Sequence, residues 1–211
     1  MTPDDPPGAA RADSGVGVLA AAAFAWNFLT IGAYAMVGPP RGALIMTRFG
    51  PRALPWVYMG SAALTGLVVW AYERTARLPR RPLIAGWLAL LAATMAAGAW
   101  AVGATHWRPL EFLYFLWTDV FGIMAVTLFW TCANDVFGPA YAPRVFGFVA
   151  AGAPLGAVAG AWLDERLMLR LGPVALLGLS AAVFAGSVPL FLFVESRARG
   201  RGLAGGAPAI A

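Results

Sequence analysis

EFLYFLWTDVFGIMAVTLFWTCANDVFGPAYAPRVFGFVAAGAPLGAVAGAWL, residues 111 to 163, is the stretch from which the rest of the chain is read. From Glu111 to Ala133 it is apolar and long enough to cross a bilayer, because about 20 residues at 1.5 Å each span the roughly 30 Å hydrocarbon core. Asp119 lies inside that run. A carboxylate at such depth costs about 2.5–3.5 kcal/mol on insertion scales, so it is expected to face a bundle interior or a wet cavity rather than lipid. With about 100° of turn per residue, Asp119, Gly122, Val126 and Trp130 share one stripe, and Thr127 and Asn134 share an adjoining one. The next helix, from near Arg144, carries Gly152, Gly156 and Gly160 at spacings of four. Such a ladder leaves a bare face that another backbone can approach closely, and it reads as packing rather than as a nucleotide loop. Pro154, inside that helix, removes a backbone hydrogen bond and predicts a kink. Between the two helices, Asn134, Asp135 and Arg144 gather at one membrane face, where an Asp135–Arg144 pair is sterically reasonable.

The runs W-T-D-V-F-G (117–122), L-F-W-T-C-A-N-D-V-F (128–137) and A-P-R-V-F-G-F-V-A-A-G-A-P-L-G-A (142–157) carry a resemblance. Together they are similar to the fourth and fifth transmembrane helices of the ATP:ADP antiporter, or nucleotide translocase, family, a relative of the major facilitator superfamily. The resemblance is densest over 111–163 and weaker over 34–60, YAMVGPPRGALIMTRFGPRALPWVYMG. It implies one half of a facilitator-type transporter, with basic residues meeting a nucleotide or other organic anion. Arg41 and Arg144 match basic positions of that family. Gly42 stands where the family has an acidic residue, and Pro143 where it has a further basic one.

Composition places the whole chain in the membrane. It has 211 residues, 60% hydrophobic and only 12% charged, which no ordinary water-soluble domain has. The net charge of +5 comes from arginine alone, mostly in short connections between apolar runs, and this suits lipid headgroups rather than nucleic acid. A single cysteine, Cys132, excludes an internal disulfide, and a single histidine, His106, leaves no zinc cluster. Cys132 reads as a packing residue and His106 as an interfacial loop residue. There is no Ser-His-Asp constellation and no phosphate-binding loop with lysine, so neither an enzyme nor a cofactor or metal site is expected.

Working outward, residues 1–15 read as a disordered tail without the basic start of a secretory signal. The pattern predicts an all-α membrane protein with six transmembrane helices, near 16–37, 53–72, 83–104, 111–133, 145–163 and 173–194, followed by a basic, flexible tail over 196–211. The first is expected to stop at Gly38-Pro39-Pro40, so that 41–52 forms either a surface turn or the broken end of that helix. Trp87, Trp100 and Trp107 read as an aromatic belt on a third helix of purely structural role. With both termini inside, arginines 11, 74, 77, 80, 81, 144, 197, 199 and 201 face the cytoplasm and 41, 48, 52, 108, 166 and 170 face outward, and the larger first set favours this orientation in a bacterial inner membrane.

The sequence thus nominates Arg41, Asp119, Trp130, Asn134 and Arg144 as substrate-binding residues. The arginines would meet the anion, Asp119 would serve as counter-charge or proton carrier, and Trp130 would stack on a planar ring. Besides the lipid bilayer, the expected partner is a second copy or a separately encoded second half, because the resembling transporters use twelve helices in two halves. The competing reading is a non-transporting scaffold or assembly subunit, or an inactive transporter fragment.

Overall fold

The computed structural model describes residues 7–105 and 107–200, which are helical almost throughout with no strand among them. α1 (Pro7–Ala35) starts on a proline whose fixed φ suits a first turn. Residues 7–15 therefore belong to a helix, and only 1–6 of the expected tail, with 201–211 and His106, lie outside the described residues. After Met36 and Val37, α2 (Gly38–Arg48) begins with prolines in its first turn. Pro39 and Pro40 bring no N–H of their own, so the backbone ladder is interrupted there and resumes with Arg41 N–H donating to Val37 O at 3.1 Å. Residues Gly15–Arg48 form one candidate span with a break inside it. Residues 41–48 are thus the broken end of the first helix, and only 49–52 form the turn that leads out of it.

A 3₁₀ turn, η1 (Pro51–Ala53), leads into α3 (Leu54–Thr75), followed by α4 (Arg80–Thr105) and α5 (Arg108–Arg199). α5 is interrupted twice, at Gly138 (φ 54°, ψ 177°) and Gly172 (φ 75°, ψ 168°). Gly50 has the same geometry, φ 76° and ψ 174°. Each of these three glycines precedes a proline, Pro51, Pro139 or Pro173. The reason is local. Proline pushes the preceding residue toward extended ψ, positive φ at such a ψ is tolerated only by glycine, and the proline then supplies the first residue of the next helix. Pro154 makes no such break, for Gly138 and Gly172 are the non-helical positions of α5 and Pro154 sits on an exposed face.

Five helices are long and apolar enough to cross a membrane: Gly15–Arg48, Pro51–Thr75, Arg80–Thr105, Arg108–Gly138 and Tyr141–Arg199. The last covers both crossings expected near 145–163 and 173–194, with the Gly172 break between them. The protein is an all-α membrane protein. Its outer surface carries large apolar side chains, among them Trp56, Leu67, Trp70, Trp100, Val158 and Leu169, as a lipid-facing surface requires. Trp107 is also exposed, whereas Trp87 turns inward and donates Nε1–H to Thr75 Oγ1 at 3.0 Å.

α1 packs along all three segments of α5. Its Trp26 ring packs against Phe129 at 4.9 Å and Phe191 at 5.4 Å, from two different segments of α5. Asn27 Nδ2 donates to Val149 O at 3.0 Å, and Ser180 Oγ donates to Ala33 O at 2.7 Å. The glycine ladder is the closest contact of all. A Cβ at Gly152 would lie 2.7 Å from Phe24 O, and Cβ atoms at Gly156 and Gly160 would come nearer still to Phe28 O and Gly32 O. Gly32 returns the contact, since its own Cβ would be 3.2 Å from Gly156 O. The ladder is a packing face as its spacing predicts, and its partner is α1 of the same chain. α4 docks similarly, with Gly98 under the Tyr114 ring and Tyr114 O–H donating to Met95 O at 3.2 Å.

Candidate functional site: an ion pair beside a broken helix

Arg41 stands three residues into α2, immediately past the break, and its Nη1 donates to Asp119 Oδ1. The same nitrogen lies 3.3 Å from Thr118 Oγ1. Ser61 of α3 donates its hydroxyl to Asp119 Oδ2 at 2.6 Å. Three helices thus converge on one carboxylate. Thr118 is oriented by its own backbone, its hydroxyl donating to Phe115 O at 2.8 Å. Asp119 is 11 residues past Arg108, about 17 Å along the helix and roughly half the thickness of a hydrocarbon core.

A pair at that depth has few ways to exist. Facing lipid, each charge would cost several kcal/mol, so the pair has to face protein or water. The Arg41 and Asp119 side chains keep 19% and 18% of their surface open. A guanidinium has five donors and the pair uses only part of them, which leaves N–H groups for a phosphate or carboxylate. The start of α2 adds the positive end of a helix dipole. With Pro39 and Pro40 there, Gly38 is the one residue of its first three with an N–H to offer, so Arg41 carries most of the attraction.

No family model, curated protein or solved structure matches this chain. Its chemistry is therefore read from its own geometry.

Of the five nominated residues, the structure joins Arg41 and Asp119 and leaves the other three elsewhere. Asn134 is 15 residues beyond Asp119 in the same helical segment, about 22 Å away, and is exposed. Arg144 is exposed past the Gly138 break. Trp130 is half-buried in edge-to-face packing, 5.3 Å from Phe129 and 5.6 Å from Phe146, and stands 11 residues, about 16 Å of helix, beyond Asp119. The stripe from Asp119 to Trp130 is real, but Gly122 on it is covered by the Tyr34 ring. Asp135 pairs with Arg80 and not with Arg144, because the start of α4 lies against the end of that α5 segment.

Sequence reasoning missed Ser61 and Thr118 as neighbours of the pair. Each left a trace, as a polar group inside an apolar run, but nothing local says which of many such groups meets Asp119. Of three further ionic contacts, Arg48–Glu111 and Arg81–Glu195 depend on tertiary placement, whereas Arg199–Glu195 joins residues one helical turn apart. Arg48 Nη2 lies 3.7 Å from Glu111 Oε1, and Glu111 is almost wholly buried. Away from it, Arg199 Nη2 lies 3.0 Å from Glu195 Oε1, and Arg81 Nε lies 2.9 Å from Glu195 Oε2 without hydrogen-bond geometry.

Proposed function

We propose that the protein is a membrane carrier of facilitator type that moves an organic phosphate anion, with Arg41 as the anion contact and Asp119 as the counter-charge of the empty site. The observation that carries this reading is the Arg41–Asp119 pair at mid-depth beside an interrupted helix. Transporters place substrate sites near the midplane where helices are discontinuous, and intramembrane ionisable residues mark such pathways. An arriving phosphate offers Arg41 paired acceptor oxygens where Asp119 offers it one, so it can replace Asp119 without leaving a bare buried cation. The resemblance to the nucleotide translocases favours a nucleotide among organic phosphates.

The same reading takes the five apolar helices as six crossings. Tyr141–Arg199 at 59 residues is about 88 Å of helix, more than two bilayers need, and Gly172 divides it. Contacts between Arg80 and Asp135 and between Arg81 and Glu195 support an antiparallel order in which 80, 135 and 195 share one end. That end carries the arginine-rich connection at 74–81 and is assigned to the cytoplasm. In whole cells, with Cys132→Ala as background, a cysteine at Ala76 should resist an impermeant maleimide while one at Thr105 reacts. The opposite pattern would invert the orientation.

A second copy or a separate second half would supply the other wall of the path, as in the twelve-helix transporters the chain resembles. Proteoliposomes holding that assembly and preloaded with ADP should take up labelled ATP or ADP, and Arg41→Ala should reduce the rate at least about 100-fold, the scale of losing an anion's charged partner. A wild-type assembly that moves no nucleotide or other organic phosphate would instead favour a scaffold built on the same fold.

A further inference from the structure

Arg144 is stranded from the central pair, and its surroundings give it another use. On the side of α1 that meets the α5 segment after Gly138, the rings of Phe24 and Phe148 stack with centroids 4.9 Å apart. A cleft of about 400 Å³ opens there, walled by Val16, Gly17, Ala20 and Val145, with Tyr141 and Arg144 as its polar groups. Its walls are apolar and small-sided, its floor is aromatic, and the charged group among its lining residues is the Arg144 guanidinium. Cleft and charge also sit at the end of the bundle where the Arg80–Asp135 pair lies, because Tyr141 follows Asp135 by only 6 residues.

We propose that this cleft is a binding site for one anionic phospholipid, its phosphate held by Arg144 and Tyr141 and the start of one acyl chain lying between α1 and α5 against Phe148. Three features select that occupant. The volume lies within the range of about 300–1,000 Å³ of small-ligand pockets. The lining is amphipathic in the order a lipid is, apolar toward the membrane interior and cationic with a hydroxyl toward its surface. A basic pocket between transmembrane helices at a membrane face is the setting in which acidic headgroups are recognised, and guanidinium grips a phosphodiester through paired N–H donors. A soluble organic phosphate would leave the apolar walls uncovered. A neutral lipid would leave Arg144 without its anion.

The proposal predicts lipid specificity that can be weighed directly. The purified full-length protein, in a detergent that preserves bound lipid, is incubated with phosphatidylglycerol or with phosphatidylcholine of matched chains and examined by native mass spectrometry. Wild-type protein should retain one phosphatidylglycerol at least about fivefold more than phosphatidylcholine, the scale of one arginine at an anionic surface. Arg144→Gln should erase that preference. Arg144 is exposed, so the variant should fold as the parent does. A second variant tests the cleft rather than the charge. Gly17 has open space where a Cβ would stand, so Gly17→Phe fills the cleft without meeting backbone and should also lower retention about fivefold. Equal retention of the two lipids by wild type, undiminished phosphatidylglycerol on Arg144→Gln, or displacement of the lipid by millimolar ATP would each overturn the assignment.

Discussion

Replacing Gly156 with leucine should leave a protein that fails to assemble its core, the largest stability effect expected of any single substitution in this chain. An added Cβ alone would run into the backbone carbonyl of Phe28, and backbone cannot rotate aside as a side chain can. α1 would have to move away, and α1 carries the buried Trp26, Asn27 and Ala33 that touch all three segments of α5. Overpacking typically costs about 1–3 kcal/mol, and a clash with main chain in a helix pair this close should reach or pass the upper figure. Even Gly156→Ala should be harmful. Gly147→Ala is the control, because a Cβ there meets nothing within 4 Å and alanine favours a helix by about 0.5–1 kcal/mol over glycine. Thermal unfolding in detergent, followed by size exclusion, should show the Gly156 variants melting far below wild type and the Gly147 variant at or above it. A Gly156→Leu protein with an unchanged melting temperature would mean that α1 and α5 do not meet along this ladder.

Arg41→Ala should be the second most damaging change, and its double mutant should undo most of the harm. Removing the guanidinium leaves the Asp119 carboxylate at mid-depth with Ser61 as its remaining hydrogen-bond donor. Losing one member of a buried pair costs about 3–5 kcal/mol, while exchanging both for apolar groups is often neutral. With 19% and 18% of the two side chains still open, the lower end of that range applies. Arg41→Ala/Asp119→Ala should therefore be more stable than Arg41→Ala alone, with a coupling between the sites of about 2–3 kcal/mol in a thermodynamic cycle. Asp119→Asn should be milder than either, because an amide keeps the shape and its oxygen can still accept from Ser61. A strictly additive cycle would show that the two charges do not interact in the folded protein.

These expectations separate what the chain writes locally from what only its packing decides. The glycine ladder was legible because spacing of four in an apolar helix has one structural consequence, close approach, whatever the partner. The sequence did not say that the partner would be α1, since Phe24 and Phe28 offer their backbone and not a matching motif. Gly50-Pro51, Gly138-Pro139 and Gly172-Pro173 each break the chain, because the proline constrains its predecessor and glycine alone accepts the result. Pro154, preceded by Ala153, keeps a helical backbone, for the lost hydrogen bond by itself does not force φ and ψ out of the helix.

The candidate site was half legible for a similar reason. Asp119 stands out by cost, a charge in an apolar run, and Arg41 by position, a charge just past a helix break. Neither property names a partner, yet each demands one, and the structure gives them to each other. Trp130, Asn134 and Arg144 were drawn to the same site by sharing its helix or its family pattern, and helical rise separates them from it by a distance that the stripe diagram does not show. Asp135 went to Arg80 rather than Arg144 because the choice depends on which helix ends lie side by side, a tertiary matter.

The central claim, that an anion takes the place of Asp119 on Arg41, is tested most directly by equilibrium binding of labelled ADP to the purified protein and two variants. Asp119→Asn removes the competitor for the guanidinium and should bind ADP more tightly than wild type by about fivefold or more, the scale of a coupling above 1 kcal/mol. Arg41→Ala, checked as folded, should show no saturable binding. A merely structural ion pair would weaken both variants alike, so ADP binding unchanged in Arg41→Ala, or lowered in Asp119→Asn, would contradict the account.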